Sequence, residues 1–253
     1  MRAAARSDFI HDAMRAVILA GGLGTRLRPY TTILPKPLVP VGGRPILERI
    51  LHQLSAHGIT EVDLCVAHLG DLIRVYFSES RACPEGMTLR WHYEDEPLGT
   101  AGALNVVPDL AGTFIAMNGD VLSNLNFGEL LECHRRYDAA LTIAMYRKDV
   151  KIDLGVIENG QGRVTAYREK PVLSCDVSMG VYVYEARALA HLPDGPCQFP
   201  ELVQRLLDAG EHVAAYPARD VEWFDIGTFG EMERAVATLE EHPERFEPQP
   251  PLE

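Results

Sequence analysis

The stretch "ILAGGLGTRLRPYTTILPKPLVPVGGRPI", residues 18–46, decides how this chain is read. A short apolar run ends at Leu19-Ala20, and glycines follow at Gly21, Gly22 and Gly24. Glycines directly after a strand let successive backbone N–H groups approach an anion without β-carbon interference, so the turn suits phosphate oxygens. Neither familiar glycine fingerprint fits. A P-loop needs Lys-Ser or Lys-Thr after its last glycine, and here Thr25-Arg26 follows Gly24. The dinucleotide pattern needs a glycine where Leu27 stands. Arg26 supplies a planar fork matched to phosphate and Lys36 a compact charge. Pro35 and Pro37 restrict the backbone around Lys36, which lowers the entropy lost when it engages a ligand.

Outward from this stretch, the pattern is that of βαβ units. "RAVILA" (15–20) reads as a buried first strand, and 45–58 as a helix with Ile46, Ile50, Leu51 and Leu54 on one face. Strands are expected at 61–68, 89–93 and 113–120, with helices near 70–79 and 100–106 between them. A helix near 127–137 precedes a strand at 139–147. Closely spaced strands then fill 150–185, with "ENGQG" (158–162) as a hairpin turn. A helix at 200–209, the strand "HVAAYP", an acidic turn "EWFDIGT" and a helix at 228–241 follow. No internal repeat and no Gly/Ser/Pro-rich linker divides the chain, so 14–243 reads as a single α/β domain. Residues 1–13, with no apolar core for a secretory signal, read as a disordered N-terminal extension, and 244–253 as a C-terminal tail.

Composition narrows the function. A formal charge of −12 over 253 residues argues against nonspecific binding to nucleic acid or to an anionic membrane surface. No apolar run reaches the roughly 20 residues of a membrane helix. Five scattered cysteines with no C-x-x-C pair fit reduced thiols in a cytoplasmic protein. In so acidic a chain, a phosphate site must reverse the local field with a few basic groups or a metal.

"LAGGLGTRLRP…PKPLVPVGGRPIL" resembles the signature of the sugar-nucleotide pyrophosphorylases, the NTP:sugar-1-phosphate nucleotidyltransferases, and the resemblance runs from about residue 15 to 240. It implies a Rossmann-like three-layer α/β/α fold with a mixed, mainly parallel central sheet, to which the region 150–185 adds a small β-rich insertion. It implies that Leu19, Ala20, Gly21, Gly22, Gly24, Thr25 and Arg26 hold the nucleotide. Two aspartates, Asp120 after "FIAMNG" and Asp225 in "EWFDIGT", match the motifs that hold a catalytic Mg²⁺ in similar enzymes. Carboxylates and Mg²⁺ are the usual device for making an α-phosphate electrophilic. In "REKP" (168–171) the resemblance gives Glu169 the sugar hydroxyls and Lys170 the sugar's phosphate; Asn118, Gly155 and Gly180 join that side.

"YEDEPLGTAGAL" (93–104) matches the segment that reads the base, with Glu94, Pro97 and Gly99 in it. Thymidylyl- and uridylyl-transferring relatives tend to place a glutamine where Glu94 falls. An amide can both donate to and accept from a pyrimidine, whereas a carboxylate only accepts. Guanine offers two adjacent donors, so Glu94 favours GTP, and "EPLGTAGAL" (96–104) resembles most the mannose- and heptose-1-phosphate guanylyltransferases. The expected partners are an NTP and a hexose or heptose 1-phosphate, with a homo-oligomer left open. Three rival readings stand beside this: thymidylyl or uridylyl transfer, a glycosyltransferase, and a catalytically silent nucleotide-sugar-binding paralogue. A glycosyltransferase would want a D-x-D turn, and "EDE" (94–96) is the nearest thing to one.

Overall fold

The computed structural model describes residues 14–246. The expected extension 1–13 and the tail from 247 onward lie outside the described residues; Pro243–Arg245 form a short 3₁₀ turn.

The chain begins with β1 (Arg15–Leu19), followed by 3₁₀ turns at Thr25–Leu27, Tyr30–Thr32 and Lys36–Leu38. A two-stranded hairpin, β2 (Pro40–Val41) with β3 (Arg44–Pro45), leads into α1 (Ile46–Ala56). Next come β4 (Glu61–Val66), α2 (Gly70–Glu79), β5 (Thr88–Tyr93) and the single-turn α3 (Gly99–Gly102), then β6 (Thr113–Asn118), β7 (Val121–Ser123) and α4 (Phe127–Tyr137). The second half contains β8 (Leu141–Lys151), β9 (Val156–Gly160), β10 (Arg163–Arg168), β11 (Val172–Glu185), α5 (Phe199–Asp208), β12 (Val213–Pro217), β13 (Trp223–Asp225) and α6 (Phe229–Glu241).

Seven strands form one sheet in the order β12-β8-β11-β6-β1-β4-β5. β11 runs antiparallel to both neighbours, and every other pairing is parallel, so the sheet is mixed and mainly parallel. Both faces are covered. Ile18, Ile115 and Val183 pack under α1, α2, α4 and α6. Val17, Phe114 and Tyr184 face the other way, toward α3 and α5. Alternate residues of β1 thus serve opposite layers, as they must in a strand buried on both sides. The fold is the three-layer α/β/α arrangement.

The helices form because of their apolar faces. Ile46, Ile50, Leu51 and Leu54 of α1 are all buried. Each contributes roughly 1.5–3 kcal/mol, well above the few tenths that separate most helix propensities. Gly58, at φ +76°, ends this helix: its N–H donates to Ser55 O, and that of Ile59 to Leu54 O. α4 is capped by Asn126, whose side chain accepts from the N–H groups of Gly128 and Glu129 at 2.9 and 3.2 Å.

The structure revises three expectations. The helix expected at 100–106 is one α-turn followed by a 3₁₀ turn at Ala103–Val106. β8 and β11 run farther than their apolar cores suggest, pairing out to Lys151 and Val172 beyond the body of the sheet. The "acidic turn" around Asp225 is β13, a three-residue strand antiparallel to β7.

Candidate active site

Chain order and sheet order together locate a crevice. From β1 the chain proceeds to β4 and β5 on one side, then returns to β6 on the other side of β1. Open α/β sheets bind ligands outside the C-terminal ends of their strands at such a reversal. The loops leaving β1 and β6 there are 20–24 and 119–120. They are joined by the Gly119 N–H, which donates to Leu19 O at 2.9 Å, while Ala20 N–H ties the first loop to Cys65 O of β4 at 2.8 Å.

The glycine loop is shaped by its neighbours. Gly24 sits in the left-handed region at φ +59°, and its carbonyl accepts from the Thr31 hydroxyl at 2.7 Å. A β-carbon at Gly24 would lie 2.9 Å from Thr31 Cγ2, so both conformation and space require glycine. Gly22 has open space where a side chain would project. Thr25 opens the 3₁₀ turn that carries Arg26 outward.

Asp225 reaches this crevice through β13. Its pairing with β7 sets Asp225 opposite Val121, and Ile226 N–H donates to Asp120 O at 3.0 Å. Lys36, only 7% exposed, forms an ion pair with Asp120 through its ammonium, which stands 3.9 Å from Asp225 Oδ1. Burial pushes the Asp225 carboxyl above the usual range, and the neighbouring Asp120 carboxylate adds to this; Lys36 and Arg26 pull it down. Arg26 lies flat against Gly227, where a β-carbon would meet Nη2 at 2.7 Å. Arg26, Lys36, Asp120 and Asp225, spread over 200 residues of sequence, are therefore brought into one cluster.

On the β5 side, Glu94 folds back over the glycine loop. Its Oε2 accepts from Leu98 N–H at 3.1 Å, and a β-carbon on Gly21 would lie 2.8 Å from Oε1. Burial raises the Glu94 carboxyl above its ordinary value. Pro97 is exposed on the same loop. Gly99, at φ +77°, has a packing reason to be glycine: a β-carbon would fall 2.6 Å from Cys197 O. On the other flank, Gly180 lies at φ +73° where the β11–β8 register shifts, against Asn118 at the end of β6.

Glu169 and Lys170 form a separate group at the foot of the β9–β10 hairpin. Glu169 accepts from the Tyr167 hydroxyl at 2.9 Å, and that same hydroxyl fills the space a β-carbon on Gly155 would need. Lys170 is exposed, at φ +44°. Among the described residues, no hydrogen bond or ion pair joins this group to the Lys36 cluster.

Thr31 and Gly227 are contributors that the sequence reading passed over. Both act by shape or through backbone contacts, which their residue types alone do not signal in the sequence.

The donor set fits a magnesium ion. Among the described residues no three His, Cys, Asp or Glu side chains cluster as a metal cage. What the cluster offers is two carboxylates, Asp120 and Asp225, with the Lys36 ammonium paired to Asp120, a donor set suited to an ion held by one or two carboxylates plus substrate phosphates.

Residues 15–242 match the nucleotidyl transferase family, and the chain belongs to it. It is 33% identical to a mannose-1-phosphate guanylyltransferase of Mycobacterium tuberculosis, over 88% of this chain and 64% of that protein. It is 30% identical to a UTP–glucose-1-phosphate uridylyltransferase of Synechocystis, over 88% of this chain and 62% of that one. It thus spans under two thirds of the length of these curated relatives. Among solved structures, HddC from Yersinia pseudotuberculosis superposes with a TM-score of 0.71 at 26% identity, over 89% of this chain and 99% of that one. The same protein complexed with GMP-PN gives 0.68 at 25% identity, with the same coverage. Among the described residues no helix is long and apolar enough to cross a membrane.

Proposed function

We propose that this chain is a Mg²⁺-dependent sugar-1-phosphate nucleotidyltransferase that favours GTP, with residues 14–243 acting as one catalytic unit. The observation that carries this is the convergence of the glycine loop, Arg26, Lys36, Asp120 and Asp225 at the reversal point of the sheet.

In the proposed reaction an oxygen of the sugar phosphate attacks the NTP α-phosphorus. The bond to the β-phosphate oxygen breaks, and pyrophosphate leaves with that electron pair. No side-chain nucleophile is needed, because the attacking phosphate is already ionised. The loop amides from Gly21 to Thr25 and the Arg26 guanidinium cradle the triphosphate and stabilise the departing charge. Lys36 moderates the repulsion between the two anionic substrates, and on the hairpin side Lys170 would meet the phosphate of the sugar substrate while Glu169 accepts from its hydroxyls. Asp120 and Asp225 would hold the magnesium ion, which when bound supplies Lewis-acid neutralisation of phosphate charge.

GTP preference is supported by Glu94, which can accept from the two adjacent donors of guanine. Oε2 already takes one N–H from Leu98, leaving it a further lone pair beside Oε1. The relatedness to a guanylyltransferase supports this reading, and the comparable relatedness to a uridylyltransferase keeps uridylyl transfer as the alternative.

The test is ³¹P NMR of the wild-type chain with GTP, mannose 1-phosphate and Mg²⁺, followed by Asp120→Asn and Asp225→Asn. Both variants should lose about 100-fold or more in turnover, the scale seen when one group stabilising the transition state is removed. Near-native turnover in both would refute the assignment of the carboxylate pair.

A further inference from the structure

The two carboxylates assigned to the magnesium ion already have cations beside them. The Lys36 ammonium is ion-paired with Asp120 and stands 3.9 Å from Asp225 Oδ1, so one side chain serves both carboxylates. Arg26 is the second cation: its guanidinium lies against Gly227, whose N–H donates to Asp225 O at 2.7 Å. The fields of both basic residues act on the Asp225 carboxyl. A further acid whose field reaches Asp225, Glu231 of α6, is offset by Arg234, which donates to both of its carboxylate oxygens at 3.0 Å. The two carboxylates and their two basic neighbours thus balance one another, and the cluster is formally neutral.

Lys36 is fixed in its place. It is buried, whereas Asp120 and Asp225 are both partly exposed, so the ammonium backs the carboxylates and leaves them open to solvent. A β-carbon on Gly24 would lie 3.2 Å from Lys36 Cβ, which packs the base of the lysine against the glycine loop. Pro35 and Pro37 restrict the backbone on either side, and the 3₁₀ turn Lys36–Leu38 begins at this residue. A lysine held in this way is less free than a surface lysine to swing aside for a second cation.

Charge decides what such a cluster admits. Two bare carboxylates would attract a divalent ion by themselves. Lys36 and Arg26 oppose that attraction, because charges a few ångströms apart in a partly buried site act strongly on one another. A bare ion would leave the cluster with its own positive charge uncompensated. An ion arriving with substrate phosphates brings an excess of negative charge, and both basic groups then have anions to meet.

We propose that Lys36 keeps the carboxylate pair from taking up a divalent cation alone, so that the ion enters only together with a triphosphate. This rests on the assignment of Asp120 and Asp225 to the ion, and it gives Lys36 a task separate from moderating substrate repulsion.

Binding of Mn²⁺, a stand-in for Mg²⁺ at an oxygen-ligand site, tests this without reference to turnover when the free ion is followed by EPR in the absence of nucleotide. Lys36→Met keeps the aliphatic stem against Gly24 and should bind the ion about tenfold or more tightly than wild type. Lys36→Gln, which also retains a donor for Asp120, should show the same gain and serves if the methionine variant does not fold. Lys36→Arg keeps the charge and should stay within about threefold of wild type. Adding Asp120→Asn or Asp225→Asn to the neutral variant should remove the gain. Affinity unchanged by neutralising Lys36, or an equal gain in Lys36→Arg, overturns the role of Lys36; if Asp225→Asn still weakens Mn²⁺ binding, the carboxylate assignment stands without it. A gain that survives both asparagine substitutions overturns the carboxylate assignment together with the proposal.

Discussion

Glu94 is the side chain on which the proposed base selectivity turns. It closes over Gly21, takes the Leu98 N–H and stays half-buried, so its carboxyl is held in one orientation at the edge of the nucleotide loop. Replacing it by glutamine keeps the size and supplies a donor where guanine wants only acceptors. Glu94→Gln should lower the ratio of GTP to UTP turnover about tenfold, equivalent to roughly 1.4 kcal/mol; an unchanged ratio in competition assays removes Glu94 from base selection. At this scale the sequence was informative where a charged residue stands in a local motif: Arg26, Lys36, Asp120 and Asp225 were all picked out, and the structure gathers them in one cluster. It was silent on Thr31 and Gly227, which act by fitting against a partner. It could also not show that Gly99 is held to glycine by the Cys197 carbonyl, nearly 100 residues away.

At the scale of elements, the placement of the cluster depends on two irregular pieces of sheet. The β11 register shift contains Gly180, whose φ of +73° and contact with Asn118 leave no room for a side chain. Gly180→Ala should cost about 1–2 kcal/mol from the left-handed backbone alone. It should also displace Asn118, seen as a lower Tm together with a raised KM for the sugar phosphate. α4 is anchored by His134, buried against Thr142 of β8 at 2.7 Å and 3.4 Å from Glu185 of β11, with Arg135 and Arg187 also in its field. Burial lowers the His134 pKa below 6.5, outweighing Glu185, so the folded state binds its proton less readily than the unfolded chain does. Stability should therefore fall as pH drops below about 6.5, through the window down to the folded pKa. Thermal melts of His134→Gln should show a shallower loss between pH 7 and 5.5 than wild type, and parallel curves would contradict this. The helices were legible because a buried face recurs every three or four residues. β13 was not, because its three residues gain strand character only from β7, a hundred residues earlier. The outer halves of β8 and β11 were likewise hidden, since their exposed faces show no burial alternation.

For the whole molecule, the sheet order explains why residues distant in sequence meet. The reversal about β1 opens the crevice, and β7 with β13 returns the C-terminal aspartate to it. The layered class was readable from alternating apolar and amphipathic segments, whereas the antiparallel placing of β11 within the seven-stranded sheet and the order of that sheet are properties of long-range pairing that periodicity does not encode. A net charge of −12 makes the crevice depend on Arg26 and Lys36 as its local cations, and it fits a site for substrates brought together with a metal rather than a surface for polyanions. The most direct measurement is pyrophosphate release by the wild-type chain across GTP, UTP and dTTP, each with mannose, glucose or heptose 1-phosphate and Mg²⁺. The account predicts release only when a triphosphate and a sugar 1-phosphate are both present, and fastest with GTP. Absence of release with every pair, or release independent of the sugar phosphate, would contradict it.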